Sequence, residues 1–236
     1  MERKNYVIVM AAGHGTRMGG SVPKQFLELG GKPILRRTIE NFISAVPGIR
    51  VVTVLPKEHV RTWRDYCVGN DFIYPQLLVE GGLTRFHSVR NALGRIPDGV
   101  VVGIQDAVRP LAGEAFLSSL YAKMGECRAV VPVVPCVDTL KSVRKVPAPG
   151  GGWKLEAAEG EIDRSTVFCA QTPQLFRSED IKAAYSQAFD LSFTDDASVA
   201  QRKNIPLSYV EGERSNIKVT TPEDLTLAEA ILALRR

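Results

Sequence analysis

Near-continuous apolar, β-branched runs at residues 6–10, 51–55, 76–79, 100–104 and 129–134 alternate with helical periodicity at 34–45, 57–68, 85–95 and 113–123. A strand with no polar side must be covered on both faces, and a helix between successive strands supplies both the crossover and the cover. The pattern predicts an α/β fold, a Rossmann-like and mainly parallel sheet with helices on both faces. Ligands of such sheets sit beyond the carboxyl ends of the strands. The loops that follow strands are therefore where chemistry should be sought.

The first of these loops is the richest. After Met10 come Ala11-Ala12-Gly13-His14-Gly15-Thr16-Arg17, then Pro23-Lys24-Gln25. Small side chains let backbone N–H groups approach a ligand, and successive N–H groups form an anion-binding concavity. Arg17 can fork onto phosphate oxygens and Lys24 can act as a point charge. A glycine turn with surface cations would explain any one of these residues, but strand, small residues and two cations together favour a nucleotide phosphate cradle. It is not a Walker A loop, since no Lys-Ser/Thr pair follows its last glycine. Nor is it the dinucleotide fingerprint, because Met18 stands where the third glycine belongs.

After Val79 the chain reads Glu80-Gly81-Gly82-Leu83-Thr84-Arg85-Phe86-His87-Ser88. Gly82 lets backbone approach a ring or ribose, and Ser88 is expected to open a helix with its hydroxyl facing a ligand. After Ile104 comes Gln105-Asp106-Ala107-Val108-Arg109-Pro110. An Asp at the end of a buried strand can hold Mg²⁺, a hard cation that takes oxygen ligands, or cap local N–H groups. Arg109 can pair with a phosphate or with Asp106 itself.

Beyond Pro135 the alternation breaks. Residues 137–143 read as a strand, Pro147-Ala148-Pro149-Gly150-Gly151-Gly152 as an exposed turn, and 153–155 with 162–164 as the return. A two-stranded excursion is marginal alone in water. Residues 137–168 are therefore expected to form an arm that protrudes from a single domain of residues 1–236 and is covered by a second copy in a homodimer. Gln171–Phe176 reads as a rigid turn, followed by a helix over 178–189 and a short helix capped by Thr194 or Asp195. Near the end, residues 217–220 read as a short strand in which Lys218 is either a solvated edge residue or a phosphate contact. Thr221-Pro222-Glu223-Asp224 is a strong helix start.

Composition narrows the class of partner. A net charge of +4 suits an anionic small molecule and is too diffuse for nucleic acid. Four scattered cysteines without a C-x-x-C pair argue against zinc. A charged N-terminus that runs into a strand, and no apolar stretch of about 18 residues, point to a cytoplasmic protein away from membranes.

The loop A-A-G-x-G-x-R-M…P-K-Q, the stretch G-G-x-x-R-x-x-S, D-A-x-R-P, the arm's D-T-x-K and D-R, and N-I-K-V-T-x-P-x-D occur here in order. Together they resemble the nucleotidyltransferase family of 2-C-methyl-D-erythritol 4-phosphate cytidylyltransferases. Leu83 and Gln105 depart from members with an acidic residue and a His at those positions. The resemblance implies CTP and a polyol phosphate as substrates and Mg²⁺ as cofactor. It implies that Arg17, Lys24, Arg164 and Lys218 are catalytic, and that Ala11, Ala12, Gly13, Gly15, Gly82, Ser88 and Asp106 bind the nucleotide. Asp106 would also carry the metal, and Arg109, Asp138, Thr139, Lys141 and Thr194 would meet the acceptor. Asp138, Thr139, Lys141 and Arg164 would reach the partner's site from the arm. A ribitol-5-phosphate cytidylyltransferase shares much of this pattern, although Ala11-Ala12-Gly13 and D-T-x-K favour the methylerythritol family. A CTP-binding regulator without catalysis is the reading from a different class, and retention of the cations argues against it.

Overall fold

In the computed structural model, which describes residues 4–13 and 22–235, the expected alternation forms the centre of one sheet. β1 (Asn5–Met10) lies between β4 (Arg50–Leu55) and β6 (Val101–Asp106), and β5 (Gln76–Glu80) is the outer parallel strand. Between β1 and β4 come two short strands paired antiparallel, β2 (Glu28–Leu29) and β3 (Lys32–Pro33). The helices are α1 (Ile34–Ala45), α2 (Lys57–Gly69), α3 (Arg85–Leu93) and α4 (Glu114–Lys123), each between the strands that the sequence pattern assigned it to.

Side-chain alternation along β1 explains the two covered faces. Val7 and Val9 pack with Leu35, Ile39 and Phe42 of α1, Trp63 of α2, and Leu117 and Leu120 of α4. Tyr6 and Ile8 face the other way, onto Phe86, Val89 and Leu93 of α3 and onto residues that follow the arm. In α1 the buried positions Ile34, Leu35, Thr38, Ile39, Phe42 and Ala45 fall on one stripe, as period 3.6 requires.

The second half completes the sheet in a way the sequence pattern does not reveal. β7 (Ala129–Pro135) is separated from β6 by an antiparallel strand, β11 (Gln174–Arg177), inserted between them. The Gln171–Phe176 segment is thus a turn only up to the cis Thr172–Pro173 bond, after which Gln174, Leu175 and Phe176 are buried sheet residues. The arm carries β8 (Val143–Pro147) and β9 (Trp153–Ala157) as a hairpin, and β10 (Phe168–Ala170) returns antiparallel to β7. β12 (Ser208–Glu211) pairs parallel with β7. α5 (Ser178–Tyr185) and α6 (Asp196–Gln201) pack beside α3, and α7 (Pro222–Leu234) closes the chain.

Local chemistry corrects several expected boundaries. Helix α5 stops at Tyr185 rather than 189. Residues 137–142 precede the strand, which starts at Val143, and 162–164 are not a return strand. There Asp163 accepts from the Ser165 N–H at 2.9 Å and from its hydroxyl at 2.7 Å, winding Arg164–Thr166 into a 3₁₀ turn. Residues 217–220 are not a strand; the Val219 N–H reaches the Val108 carbonyl at 2.9 Å. Thr221 caps α7 as expected, with Asp224 completing a reciprocal capping box.

Candidate active site

The carboxyl ends of β1, β5 and β6 open into one cleft of about 300 Å³. Its described walls include Ala11, Ala12 and Gly13 after β1, Gly82 and Ser88 around the start of α3, Asp106 at the end of β6, and Lys24 and Lys218. Residues far apart in sequence thus meet at the strand ends. Arg17 and Gly15 lie outside the described residues.

The floor is built by close backbone packing. The Ala11 N–H continues the ladder to the Val54 carbonyl at 2.8 Å, and buried Gln25 donates from Nε2 to the Ala11 carbonyl at 3.0 Å. This bond ties the small-residue loop to the segment bearing Lys24. Gly81 and Gly82 are required by crowding. A Cβ on Gly81 would lie 2.7 Å from the Ala12 Cβ, and one on Gly82 would lie 2.6 Å from the His87 Cβ.

Ser88 does not open the helix. Thr84 caps α3, its hydroxyl accepting from the His87 N–H, and Ser88 sits a turn further in. Its buried hydroxyl accepts from the Gly82 N–H at 2.9 Å and donates to the Thr84 carbonyl at 2.9 Å. Ser88 therefore shapes the glycine loop at the cleft wall.

Asp106 is the electrostatic centre. Lys218 Nζ is 2.8 Å from its Oδ2, Arg109 Nε 3.8 Å from the same oxygen, and Arg85 Nε 4.0 Å from Oδ1. Burial alone would raise the Asp106 carboxyl, but Arg85, Lys218 and Arg109 together hold it below the usual carboxylate range. It is therefore an anion throughout the neutral range.

Arg109 is not part of the described cleft lining. Its guanidinium is largely buried, which pulls it below its ordinary value, and Nη1 donates to the Asn216 carbonyl at 2.7 Å. Buried Asn216 in turn donates to the Thr172 carbonyl at 3.0 Å. The structure thus shows Arg109 as a brace: it holds the 216–218 segment, in which Lys218 lies beside Asp106.

Thr194 borders a neighbouring recess of about 170 Å³ with Phe86, Tyr185 and Phe193, on the far side of Thr84 and Arg85. Asp195, not Thr194, caps α6. Asp138, Thr139, Lys141 and Arg164 are exposed on the arm, and none belongs to the described lining of this chain's cleft.

The cleft also contains a cation that entered the sequence reading only as the R of G-G-x-x-R-x-x-S and was given no role of its own. Arg85 lines it while donating from Nη1 and Nη2 to Asp196 at 2.8 and 2.6 Å. An arginine in the first turn of a helix opposes the helix dipole. That misfit, three residues after Gly82, was the available signal.

What this arrangement can do is bind and neutralise a polyphosphate: small-residue backbone, two lysines, and a carboxylate poised among cations at the strand ends. Fold and cleft together define an α/β nucleotidyltransferase. The family model of IspD, 2-C-methyl-D-erythritol 4-phosphate cytidylyltransferase, matches residues 5–234, and the chain belongs to this family. The 2-C-methyl-D-erythritol 4-phosphate cytidylyltransferase of Porphyromonas gingivalis W83 is 40% identical over 233 residues, covering 98% of this chain and 99% of the relative. That of Bacteroides fragilis is 39% identical over 225 residues, covering 95% and 98%. Among solved structures, 4-diphosphocytidyl-2C-methyl-D-erythritol synthase from Anaerococcus prevotii superposes with a TM-score of 0.76 at 27% identity, covering 98% of this chain and 96% of that one.

Proposed function

We infer that the chain transfers the cytidylyl group of CTP to 2-C-methyl-D-erythritol 4-phosphate, giving CDP-methylerythritol and pyrophosphate. The observation that carries this reading is the full-length family match combined with Lys24, Asp106 and Lys218 around one cleft. An acceptor phosphate oxygen attacks the α-phosphate of CTP in line; the new P–O bond forms as the bond to the pyrophosphate oxygen breaks. A phosphate monoester with its second pKa near ~6 is largely dianionic at neutral pH, so the nucleophile needs no general base.

The obstacle is repulsion between two anions, and alignment with preorganised positive charge is what lowers it. Lys24, with Arg17, stabilises the charge that grows on the α-phosphate. Lys218 holds the attacking phosphate. Ala11, Ala12, Gly13 and Gly82 bring backbone close to the nucleotide.

Asp106 suits Mg²⁺ as a single hard oxygen ligand, the pattern in which one or two carboxylates and substrate phosphates share the ion. Among the described residues no group of three or more His, Cys, Asp or Glu side chains forms a cage. When bound at Asp106, Mg²⁺ would neutralise part of the triphosphate charge.

The arm supports a homodimer with shared sites. Trp153 and Leu155 of β9 are 59% and 58% exposed and Val143 of β8 is 51% exposed, on a hairpin that needs cover. Asp138, Thr139, Lys141 and Arg164 would then serve the acceptor in the partner's cleft, and Thr194 would border it from its own chain. Among the described residues no helix is long and apolar enough to cross a membrane.

Pyrophosphate release measured with CTP and either methylerythritol 4-phosphate or ribitol 5-phosphate tests the assignment. Higher kcat/KM for methylerythritol 4-phosphate is expected. Preference for ribitol 5-phosphate, or no turnover with either acceptor, would overturn it.

A further inference from the structure

Arg85 stands between two carboxylates that belong to different parts of the fold. On one side its two terminal nitrogens form a fork onto Asp196, whose side chain is fully buried at the start of α6. Asp196 also accepts from the Tyr185 hydroxyl at 2.6 Å, so the residue that holds Arg85 is itself held by α5. On the other side, Arg85 Nε lies 4.0 Å from Asp106 Oδ1, in the cleft. A bidentate pair fixes direction as well as distance. The guanidinium therefore has little freedom to follow a ligand.

Of the other two cations, Arg109 lies 3.8 Å from Asp106 but is largely buried and tied to the Asn216 carbonyl, whereas Lys218 is differently placed. Its side chain is 43% exposed, and its ion pair with Asp106 is a single contact on a flexible stem. A phosphate entering the cleft can recruit Lys218 and leave Asp106 short of one countercharge. Arg85 cannot be recruited in that way without breaking the fork to a buried carboxylate, which is strongly unfavourable.

We propose that Arg85 is a positioning residue for nucleotidyl transfer: anchored by Asp196 and Tyr185, it holds the Asp106 carboxylate in place and so frees Lys218 for the acceptor phosphate. It acts through Asp106 rather than on the substrate. This rests on the function inferred above, and it assigns work to Tyr185 and Asp196, outside the main cleft.

A double-mutant cycle separates this role from a merely structural one. Single-turnover rates are measured for Arg85→Gln, Asp106→Asn and the double variant, with folding checked by circular dichroism. Loss of a residue that orients a functional side chain typically costs about 10–100-fold; Arg85→Gln should do so in the wild-type background and cost less than about twofold when Asp106 is already Asn. Asp196→Asn, which keeps the cation and removes its anchor, should act in the same direction, and Arg85→Lys should recover part of the rate. Equal fold losses in both Asp106 backgrounds would overturn the proposal, whether Arg85 touches phosphate directly or only supports the fold. Should Arg85→Gln fail to fold, the Asp196→Asn and Asp106→Asn cycle reads the same coupling.

A second readout needs no turnover. The Arg85 Nε–H resonance, assigned by its loss in Arg85→Lys, should shift in both Asp196→Asn and Asp106→Asn. A resonance blind to Asp106→Asn would refute the link. A wild-type enzyme that makes no CDP-methylerythritol would remove the inferred function, while this spectrum would still decide whether Arg85 joins the two carboxylates.

Discussion

Lys218 Nζ and Asp106 Oδ2 lie 2.8 Å apart, although 112 positions separate them in the chain. The contact exists because Arg109 grips the Asn216 carbonyl at 2.7 Å and the Val219 N–H reaches the Val108 carbonyl at 2.9 Å. The loop after β6 and the segment before α7 are thereby laced together, and the lysine arrives beside the carboxylate as a consequence. Lys218 is 43% exposed and the Asp106 side chain 14%, so the pair is half open to solvent on the lysine side. Its value lies in placing a recruitable cation at the end of the central strands.

Lys24 sets the first expectation. Lys24→Met keeps much of the stem and removes the charge, so kcat should fall by about 10²–10³-fold, the usual loss for one contact to transition-state charge. CTP affinity, read by calorimetry, should change little. A near-normal kcat with only a raised KM would reduce Lys24 to a ground-state binding group.

Asp106 bears on the metal. Asp106→Asn preserves shape and removes the anion, so turnover should drop and more Mg²⁺ should be needed to reach half its maximum. Chelation with EDTA should abolish wild-type turnover, and added Mg²⁺ should restore it. A Mg²⁺ dependence identical in wild type and variant would leave Asp106 as a loop residue surrounded by cations.

The centre of the sheet was legible in the sequence because strands buried on both faces have no choice but to be apolar throughout. Ala11 to Gly13, Gly82 and Asp106 drew notice because each ends or closely follows such a strand, Lys24 as a cation of the first loop and Lys218 as a cation in an apolar run. β11 was hidden. It is four residues long, follows Pro173 and contains Gln174; the Gln174 side chain is satisfied by Asp195 at 2.8 Å and by the Ala197 N–H at 2.8 Å, contacts that only the fold creates. Arg109 was hidden in its bracing role for a similar reason. Its sequence neighbours point to the cleft, whereas the carbonyl it braces is more than 100 residues away. Asp196, which gives Arg85 its direction, gives no sequence signal of pairing with it.

Packing in β6 yields an expectation about stability. Tyr121 donates its buried hydroxyl to the Tyr6 carbonyl at 2.8 Å, and a Cβ on Gly103 would lie 2.5 Å from that same oxygen. Gly103→Ala should cost about 1–3 kcal/mol through overpacking. Tyr121→Phe should cost about 1 kcal/mol for the lost hydrogen bond. Because the Phe lacks the clashing atom, the double variant should be more stable than the sum predicts, by about 0.5 kcal/mol or more in urea titration. Strict additivity would show that the strand shifts away from Tyr121 instead.

The arm gives the most decisive expectation. Arg164 is exposed on it, with Nη1 donating to the Val137 carbonyl at 3.0 Å, while Lys24 lines the cleft of the main sheet. If each site joins Lys24 of one chain to Arg164 of the other, two inactive homodimers can repair one another. Lys24→Ala and Arg164→Ala are unfolded together in equal amounts and refolded, so random pairing makes about half of the dimers mixed. In a mixed dimer one site takes both lesions, and the other takes Lys24 and Arg164 intact from different chains. With independent sites, about one quarter of wild-type activity should return. If both residues served the same chain's site, every site would carry one lesion and no activity would return. Mixed dimers verified by native mass spectrometry yet inactive would place Arg164 with its own chain's cleft and rule out the exchanged arm, whereas dimers that never form would rule out the homodimer itself.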